Sequence, residues 1–356
     1  MKNKSILIFI ISLSFLFSAC AIEFKGSGET AASTGGVFQT INNGRSWKNT
    51  SLVANVSGQA KSFSSFDMTF LTIDPTDSKA LYYGTVENGV FYSYDGGSSW
   101  RFMTALGKVT VSNFVIDPKN HCTLYASLGY KLMKSVDCGR VWTQTYVDND
   151  RTVAIRSIAI DHYNNNNVYM AISRGDLVKS SDGGGSWQSI QRFGNDLKTV
   201  KINPKDSREI YVLTDRKGLH VSRDGGATWS DLKESLKELE VNNSKMVDLF
   251  INAGDENLIF LVNYYKLLKS SDNGKTWQSI KLITPDKKSQ INSFTINAKN
   301  SKEMYYLSNN VLYYSGDGGE NWTTFKLPTS RLGKKIVINP KNPAAIYLGV
   351  KLPPKN

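Results

Sequence analysis

Cysteine, histidine and proline are all scarce in this chain of 356 residues, at three, three and nine. Three cysteines cannot build a disulfide-scaffolded domain. His121, His162 and His220 are scattered, with no metal-ligand spacing, so no metal site is expected. No G-x-x-x-x-G-K-[ST] and no strand-linked G-x-G-x-x-G occurs, and no cofactor is expected. No apolar run reaches the roughly twenty residues that a membrane-spanning helix needs. Acids are the minority charge, 31 against 43 lysines and arginines, for a net +12. By contrast, 28 glycines, 40% hydrophobic residues and 11% aromatics exclude a disordered or collagen-like chain. Length alone would allow two average domains, or one domain grown by repetition.

The N-terminus carries an address. Lys2 and Lys4 precede an apolar run from Ile6 to Phe17, short for a membrane span and right for a signal-peptide core. The run ends in Phe17-Ser18-Ala19-Cys20, which resembles the lipobox of bacterial lipoproteins, with Phe in place of the usual Leu. That resemblance implies cleavage after residue 19 and acylation of Cys20, enough for stable anchoring. Residues 20–34 then form a lipidated flexible tether. Cleavage removes two lysines and no acid, leaving +10.

Internal repetition decides the rest. SYDGGSSW (93–100), SVDCGRVW (135–142), SSDGGGSW (180–187), SRDGGATW (222–229), SSDNGKTW (270–277) and SGDGGENW (315–322) share S-x-D-x-G-x-x-W, and TINNGRSW (40–47) is a seventh, altered copy. The seven tryptophans of the protein, Trp47, Trp100, Trp142, Trp187, Trp229, Trp277 and Trp322, all lie in these segments. A second motif ends an apolar strand in Ile73, Ile116, Ile160, Ile202, Ile251, Ile296 or Ile338, with an aromatic nine residues later in every copy, from Tyr82 to Tyr347. Each repeat therefore reads as four short strands, A to D, with the tryptophan segment as the C–D turn. Spacings of 42 to 53 residues between tryptophans match antiparallel propeller blades. The first turn segment has no preceding Ile motif and the last Ile motif has no following segment. Together they complete one blade, so the expectation is an all-β, seven-bladed propeller over residues 35–356, closed by N-terminal strands.

These segments resemble the Asp-box (BNR) repeats of sialidases, sortilin-type receptors, xyloglucanases and photosystem II assembly factors. The resemblance covers residues 35–356 and implies the propeller fold, but not one activity. In those families the box is structural and lies away from the site. The same role is expected for Asn42, Asp95, Asp137, Asp182, Asp224, Asp272 and Asp317, whose side chains can accept backbone N–H groups inside the turn. Each tryptophan should cover its turn while its N–H keeps a partner.

Antiparallel strands put the A–B and C–D turns on one face and the B–C and D–A loops on the other. The second face varies: from tryptophan to the next isoleucine the gaps are 26, 16, 18, 15, 22, 19 and 16 residues. They hold 19 basic against 10 acidic residues. Variable loops on a rigid scaffold are the usual place for binding. Arg156, Arg174, Arg216, Lys217 and Lys266, with Tyr130, Tyr264 and Tyr265, are expected to form a basic binding face for an acidic protein, anionic polysaccharide or lipid headgroups. Segment 230–240, with Leu232, Leu236 and Leu239 in helical spacing and Ser230 as N-cap, should be a short helix in the fourth D–A loop. Cys122 and Cys138 fall on one face of adjacent strands, and in an exported protein a disulfide is expected.

Sialidases carry an early F/Y-R-I-P motif, which is absent here. The xyloglucanase resemblance points to Glu87, Asp176 and Asp215 as carboxylates in B–C loops, but glycosidases need a pair roughly 5–10 Å apart. Sortilin-type receptors have a larger ring and cysteine-rich modules not seen in this sequence. The reading is a monomeric, non-catalytic, membrane-anchored propeller at the bacterial cell envelope, on the extracytoplasmic side of the outer or cytoplasmic membrane. It would bind a protein or anionic glycan and no nucleic acid. A BNR-type glycoside hydrolase is the alternative.

Overall fold

The computed structural model describes residues 34–53, 61–255, 257–285 and 287–352. Cys20 and the expected signal peptide lie outside the described residues. Seven four-stranded antiparallel sheets form the blades of a ring. Blade 1 has strands A to D at Met68–Ile73, Leu81–Thr85, Val90–Ser93 and Arg101–Phe102. The innermost strands of blades 2 to 7 are Asn113–Ile116, Ile155–Ile160, Leu197–Ile202, Met246–Ile251, Ile291–Asn297 and Leu332–Ile338. Each A strand packs beside those of the two neighbouring blades, and blade 7 meets blade 1, so the ring is closed.

The closure joins the two ends of the sequence. Strands A and B of blade 7, Leu332–Ile338 and Ile346–Lys351, come from the C-terminal end, and strand C, Val37–Thr40, comes from the N-terminal end. Val37 faces Gly349, Phe38 faces Leu348 and Thr40 faces Ile346, and Lys48–Asn49 adds strand D outside. Pairing of this kind leaves no open sheet edge at the join. The long gap after Trp47 holds an additional two-stranded ribbon, Leu52–Val53 with Lys61–Ser62. Val53 bridges to Trp100, and the ribbon brings Phe63 into the core of blade 1.

The hydrophobic core is divided among the seven seams between adjacent blades, one cluster to each. Strand B is buried on both faces because it lies between A and C within its sheet and between two neighbouring sheets. The five residues Ile210–Thr214 are all buried, as are Val168–Ile172.

The repeated C–D turn has one geometry. In blade 4, Ser222 Oγ donates to Asp224 Oδ1 at 2.7 Å and accepts from Gly226 N at 2.8 Å. Thr228 N donates to Asp224 Oδ1 at 2.9 Å and its hydroxyl to Oδ2 at 2.5 Å. Asp95, Asp182, Asp272 and Asp317 sit in the same bonds, and Asp137 keeps all but a side-chain donor four residues on. Asn42 accepts from Thr40 and Ser46 N in the same way. The hydroxyl of Thr228 first, then its N–H, holds the Asp224 carboxyl down at about 2. The tryptophans depart from expectation in two blades. Trp142, Trp187, Trp229, Trp277 and Trp322 donate their indole N–H to backbone carbonyls. Trp47 and Trp100 do not; Trp100 is fully buried, edge-on to Phe63 and Tyr83.

The segment after Trp229 also differs from expectation. Ser230–Asp231 is strand D of blade 4, and only Glu234–Leu239 turns, as a 3-10 helix with no side-chain cap at Lys233. Pairing with strand C takes Ser230 out of the capping position, and Leu236 is buried in the seam between blades 4 and 5.

Candidate functional site

The site begins with a recurrent fault in strand A. Its register against strand B slips by one residue near its start in six blades, between Met68 and Phe70, Ile155 and Ser157, Leu197 and Thr199, Met246 and Asp248, Ile291 and Ser293, and Gly333 and Lys335. The extra residues are Thr69, Arg156, Lys198, Val247, Asn292 and Lys334. A bulge leaves one residue unpaired and re-aims its side chain. Here all six line the central channel or its mouth on the B–C and D–A face. Each stands four positions before the repeat's isoleucine. Blade 2 has no slip, and its corresponding residue is Ser112.

At the mouth these positions border a cavity of about 610 Å³ that Asp196, Asp215, Tyr264 and Lys351 also line. Arg156 makes a bidentate pair with Asp196, at 2.7 and 3.2 Å. Lys198 sits 2.8 Å from Asp215 and donates to Met246 O. Deeper in the channel Lys335 pairs with Asp248 at 3.7 Å and lies 5.4 Å from the Phe250 ring centroid. Lys334 and Lys351 have no ion pair among the described residues. Burial first, then the charges of Lys351 and Lys335, push the Lys334 ammonium below its ordinary value, although the residue is exposed at the channel mouth. An anion placed between Lys334 and Lys351 relieves that repulsion.

Of the expected binding residues, Arg156 and Tyr264 are brought together here, with Asp215 opposite. The others do not line this cavity. Arg174 bridges Asp148 and Asp176 on the outer side of blades 2 and 3, where Arg192 also holds Asp176 at 2.6 Å. Lys217 donates to Phe193 O and Lys266 to Leu239 O. Arg216 is exposed, with its Nε 3.7 Å from Asp215. Tyr130 lies under Lys131, and Tyr265 packs edge-on against Tyr264. Lys198, Lys334 and Lys351 did not stand out in single repeats, where a lysine before a strand looks ordinary. Aligning the repeats on their isoleucines exposes the first two as one column.

The expected carboxylates do not converge. Asp176 is not a loop residue: it begins strand C of blade 3, fully buried, and its two arginines overcome its desolvation to hold the carboxyl below the ordinary range. Glu87, in the B–C turn of blade 1, adopts a left-handed backbone. Asp215 is in blade 4 and occupied by Lys198. Cys122 and Cys138 are joined as a disulfide. Ligand atoms of His121, Cys122 and Cys138 lie within 4.8 Å of one another, but the disulfide ties up the thiolates that a metal would need.

A family model described as "Sortilin-Vps10: Sortilin, neurotensin receptor 3" matches residues 130–267 and 265–352. No curated protein matches the sequence. Among solved structures, the GH74 enzyme of Niastella koreensis superposes with a TM-score of 0.66 at 17% identity, over 80% of this chain and 51% of that one. This chain thus spans about half the length of that enzyme. YCF48 bound to D1 peptide gives 0.60 at 16% identity, over 80% of this chain and 94% of that one. YCF48 from Cyanidioschyzon merolae gives 0.62 at 13% identity, over 80% and 95%. At such identities the likeness concerns the fold.

Proposed function

This chain belongs to the Sortilin-Vps10 family, and from that membership and the charge at its channel mouth we propose a non-catalytic propeller that binds an acidic protein segment. One observation carries the reading: Lys334 and Lys351 stand in the mouth without counter-ions among the described residues, beside Arg156 and Lys198 that already have theirs. Charge-assisted hydrogen bonds from those two ammonium groups are the available anchors for a carboxylate. Tyr264 supplies a ring beside them, itself 5.4 Å from Lys245. That a ring of this architecture holds a peptide is supported by the likeness to YCF48 bound to D1 peptide. The N-terminal pattern through Cys20 supports export and lipid anchoring, so the partner is taken to be a component of the cell envelope.

The likeness to GH74 enzymes favours hydrolysis as the second reading. Against it stands the separation of Glu87, Asp176 and Asp215 in blades 1, 3 and 4, since glycoside cleavage requires two carboxyl groups across one bond. The deciding experiment immobilises the full chain and exposes it to solubilised envelope membranes. Wild type should retain specific proteins that elute with rising salt, and Lys334→Glu/Lys351→Glu should lose them. Identical protein sets from both refute the assignment. Turnover of any oligosaccharide in a broad glycan screen, abolished by Asp215→Asn, would establish the enzyme instead.

A further inference from the structure

Three of the seven seams between blades carry a lock. The strand-B tyrosine of one blade donates its hydroxyl to a carbonyl in the next blade's C–D turn: Tyr347 to Gly96 O at 2.9 Å, Tyr125 to Gly183 O at 2.7 Å and Tyr211 to Asn273 O at 3.4 Å. Among the described residues the seam between blades 1 and 2 lacks it, as do those after blades 3, 5 and 6, where Tyr169 and Tyr305 make no such bond and Phe260 has no hydroxyl. Tyr82 instead meets Tyr94 of its own blade edge-on, ring centroids 6.5 Å apart, and makes no bond to the corresponding carbonyl of Cys138. Where Asn165 crosses the seam between blades 2 and 3 to donate to Asp117 Oδ2 at 2.7 Å, the corresponding residue is His121. Its counterpart Asp74 is 1% exposed, and only its Oδ1 is engaged, by Thr76 and Asp77.

This seam holds a cavity of about 630 Å³ between the A–B and C–D turns and the outer strand of blade 1, sharing no lining residue with the channel mouth. Tyr92 and Tyr94, their centroids 5.0 Å apart and tilted by 50°, form one wall, and Tyr94 is 48% exposed. Arg101 and Arg140 form the rim, and neither guanidinium has an ion pair among the described residues. Blade 1 alone has tyrosine at both positions of Tyr92 and Tyr94: they are Lys134 and Val136 in blade 2, Lys179 and Ser181 in blade 3, and Tyr314 and Gly316 in blade 6. The disulfide ties the C–D turn of blade 2 to its own A–B turn and so fixes the wall that Cys138, Gly139 and Arg140 give the cavity.

We propose that this seam cavity binds an acidic saccharide. A pyranose presents apolar C–H faces and a rim of hydroxyls, which requires ring faces together with both donors and acceptors. The two tyrosine faces, their hydroxyls and the free Asp74 oxygen meet that requirement. The guanidinium groups select a carboxylate, which arginine holds through two parallel N–H bonds. A lipid tail would need a mostly apolar lining. A bare inorganic anion would leave the rings idle.

The test is calorimetric titration of the full chain with trigalacturonate, with maltotriose and hexaglutamate as comparison ligands. Wild type should bind trigalacturonate saturably and at least tenfold more tightly than either. Tyr94→Ala and Arg101→Gln/Arg140→Gln should each weaken it at least tenfold; both replace accessible side chains, and unchanged thermal midpoints verify folding. Lys334→Glu/Lys351→Glu, at the channel mouth, should leave the affinity within twofold, which separates the two sites. No saturable binding, equal binding of maltotriose or hexaglutamate, or wild-type affinity in both cavity variants overturns the proposal.

Discussion

Breaking the Cys122–Cys138 bond measures what the disulfide adds to a turn that the other blades close without one. Cys138 N donates to Cys122 O at 3.0 Å. The same bond recurs from Gly96 to Lys79, Gly183 to Asn166, Gly225 to Arg208, Asn273 to Asn257 and Gly318 to Lys302. Those blades show that the hydrogen bond suffices for the geometry, so reduction should leave the fold intact and change only its stability. With the cysteines 16 residues apart, the chain-entropy model gives about 3 kcal/mol at 25 °C. A second effect opposes it. Cys138 has φ of 62°, in the left-handed region where four of those five blades use glycine. A side chain there costs about 1 kcal/mol. Cys122→Ser/Cys138→Gly should therefore be about 2 kcal/mol less stable than the oxidised wild type, and Cys122→Ser/Cys138→Ala about 3 kcal/mol less stable. Urea unfolding followed by tryptophan fluorescence, with and without a phosphine reductant, reads both differences, Trp142 reporting on this turn. If the Gly and Ala variants unfold at the same midpoint, the strain argument is wrong. If reduction leaves the wild-type midpoint unmoved, so is the cross-link argument.

Leu348→Ala, in the blade that joins the chain ends, should cost about 3 kcal/mol or more, because the side chain is fully buried in the seam between blades 6 and 7; thermal unfolding checks it. Arg174→Ala should cost about 2 kcal/mol in urea, because Asp148 becomes a buried carboxylate without its guanidinium while Asp176 keeps Arg192, and the partly open site softens the loss. The turn carboxylates also set an acid limit. The Asp224 and Asp317 carboxyls are held at about 2 in the fold, below their unfolded value, so their contribution is present at neutral pH and is lost as pH falls from about 4 to about 2. Thermal midpoints measured down that range should drop for the wild type and drop less steeply for Asp224→Asn/Asp317→Asn.

The fold was legible because its repeated parts are fixed by local geometry. Isoleucine and aromatic stand nine residues apart since a strand, a turn and a strand of set length separate them, and the tryptophan marks each C–D turn. The split of blade 7 followed from one unmatched motif at each end, and the pairing of Phe38 with Leu348 is its structural form. Two local readings failed where tertiary contacts outweighed local pattern. Ser230 looks like an N-cap until strand C of its blade pairs with it. Asp176 looks like a loop acid until Arg174 and Arg192 close over it. The channel mouth was hardest to see, because the direction of Arg156, Lys198 and Lys334 depends on a one-residue slip that no residue type announces. In an unslipped strand, alternation alone would assign their faces.

That slip also explains how one ring carries a binding surface without weakening itself. A residue in the register of strand A must satisfy strand B on one side and the neighbouring blades on its faces, so its identity is restricted. The bulged residue is released from the ladder and can be threonine, arginine, lysine, valine or asparagine in successive blades without disturbing the pairing that follows. The prediction is that this column tolerates exchange better than its neighbours. Val247→Lys, half-buried at the edge of the seam between blades 5 and 6, should cost about 1 kcal/mol or less and make the mouth more basic. Leu249→Lys, two residues further along the same strand and fully buried, should cost several kcal/mol by placing an unpaired charge in the seam. If Val247→Lys destabilises the ring as much as Leu249→Lys, the bulge does not free its residue, and the channel mouth is part of the core.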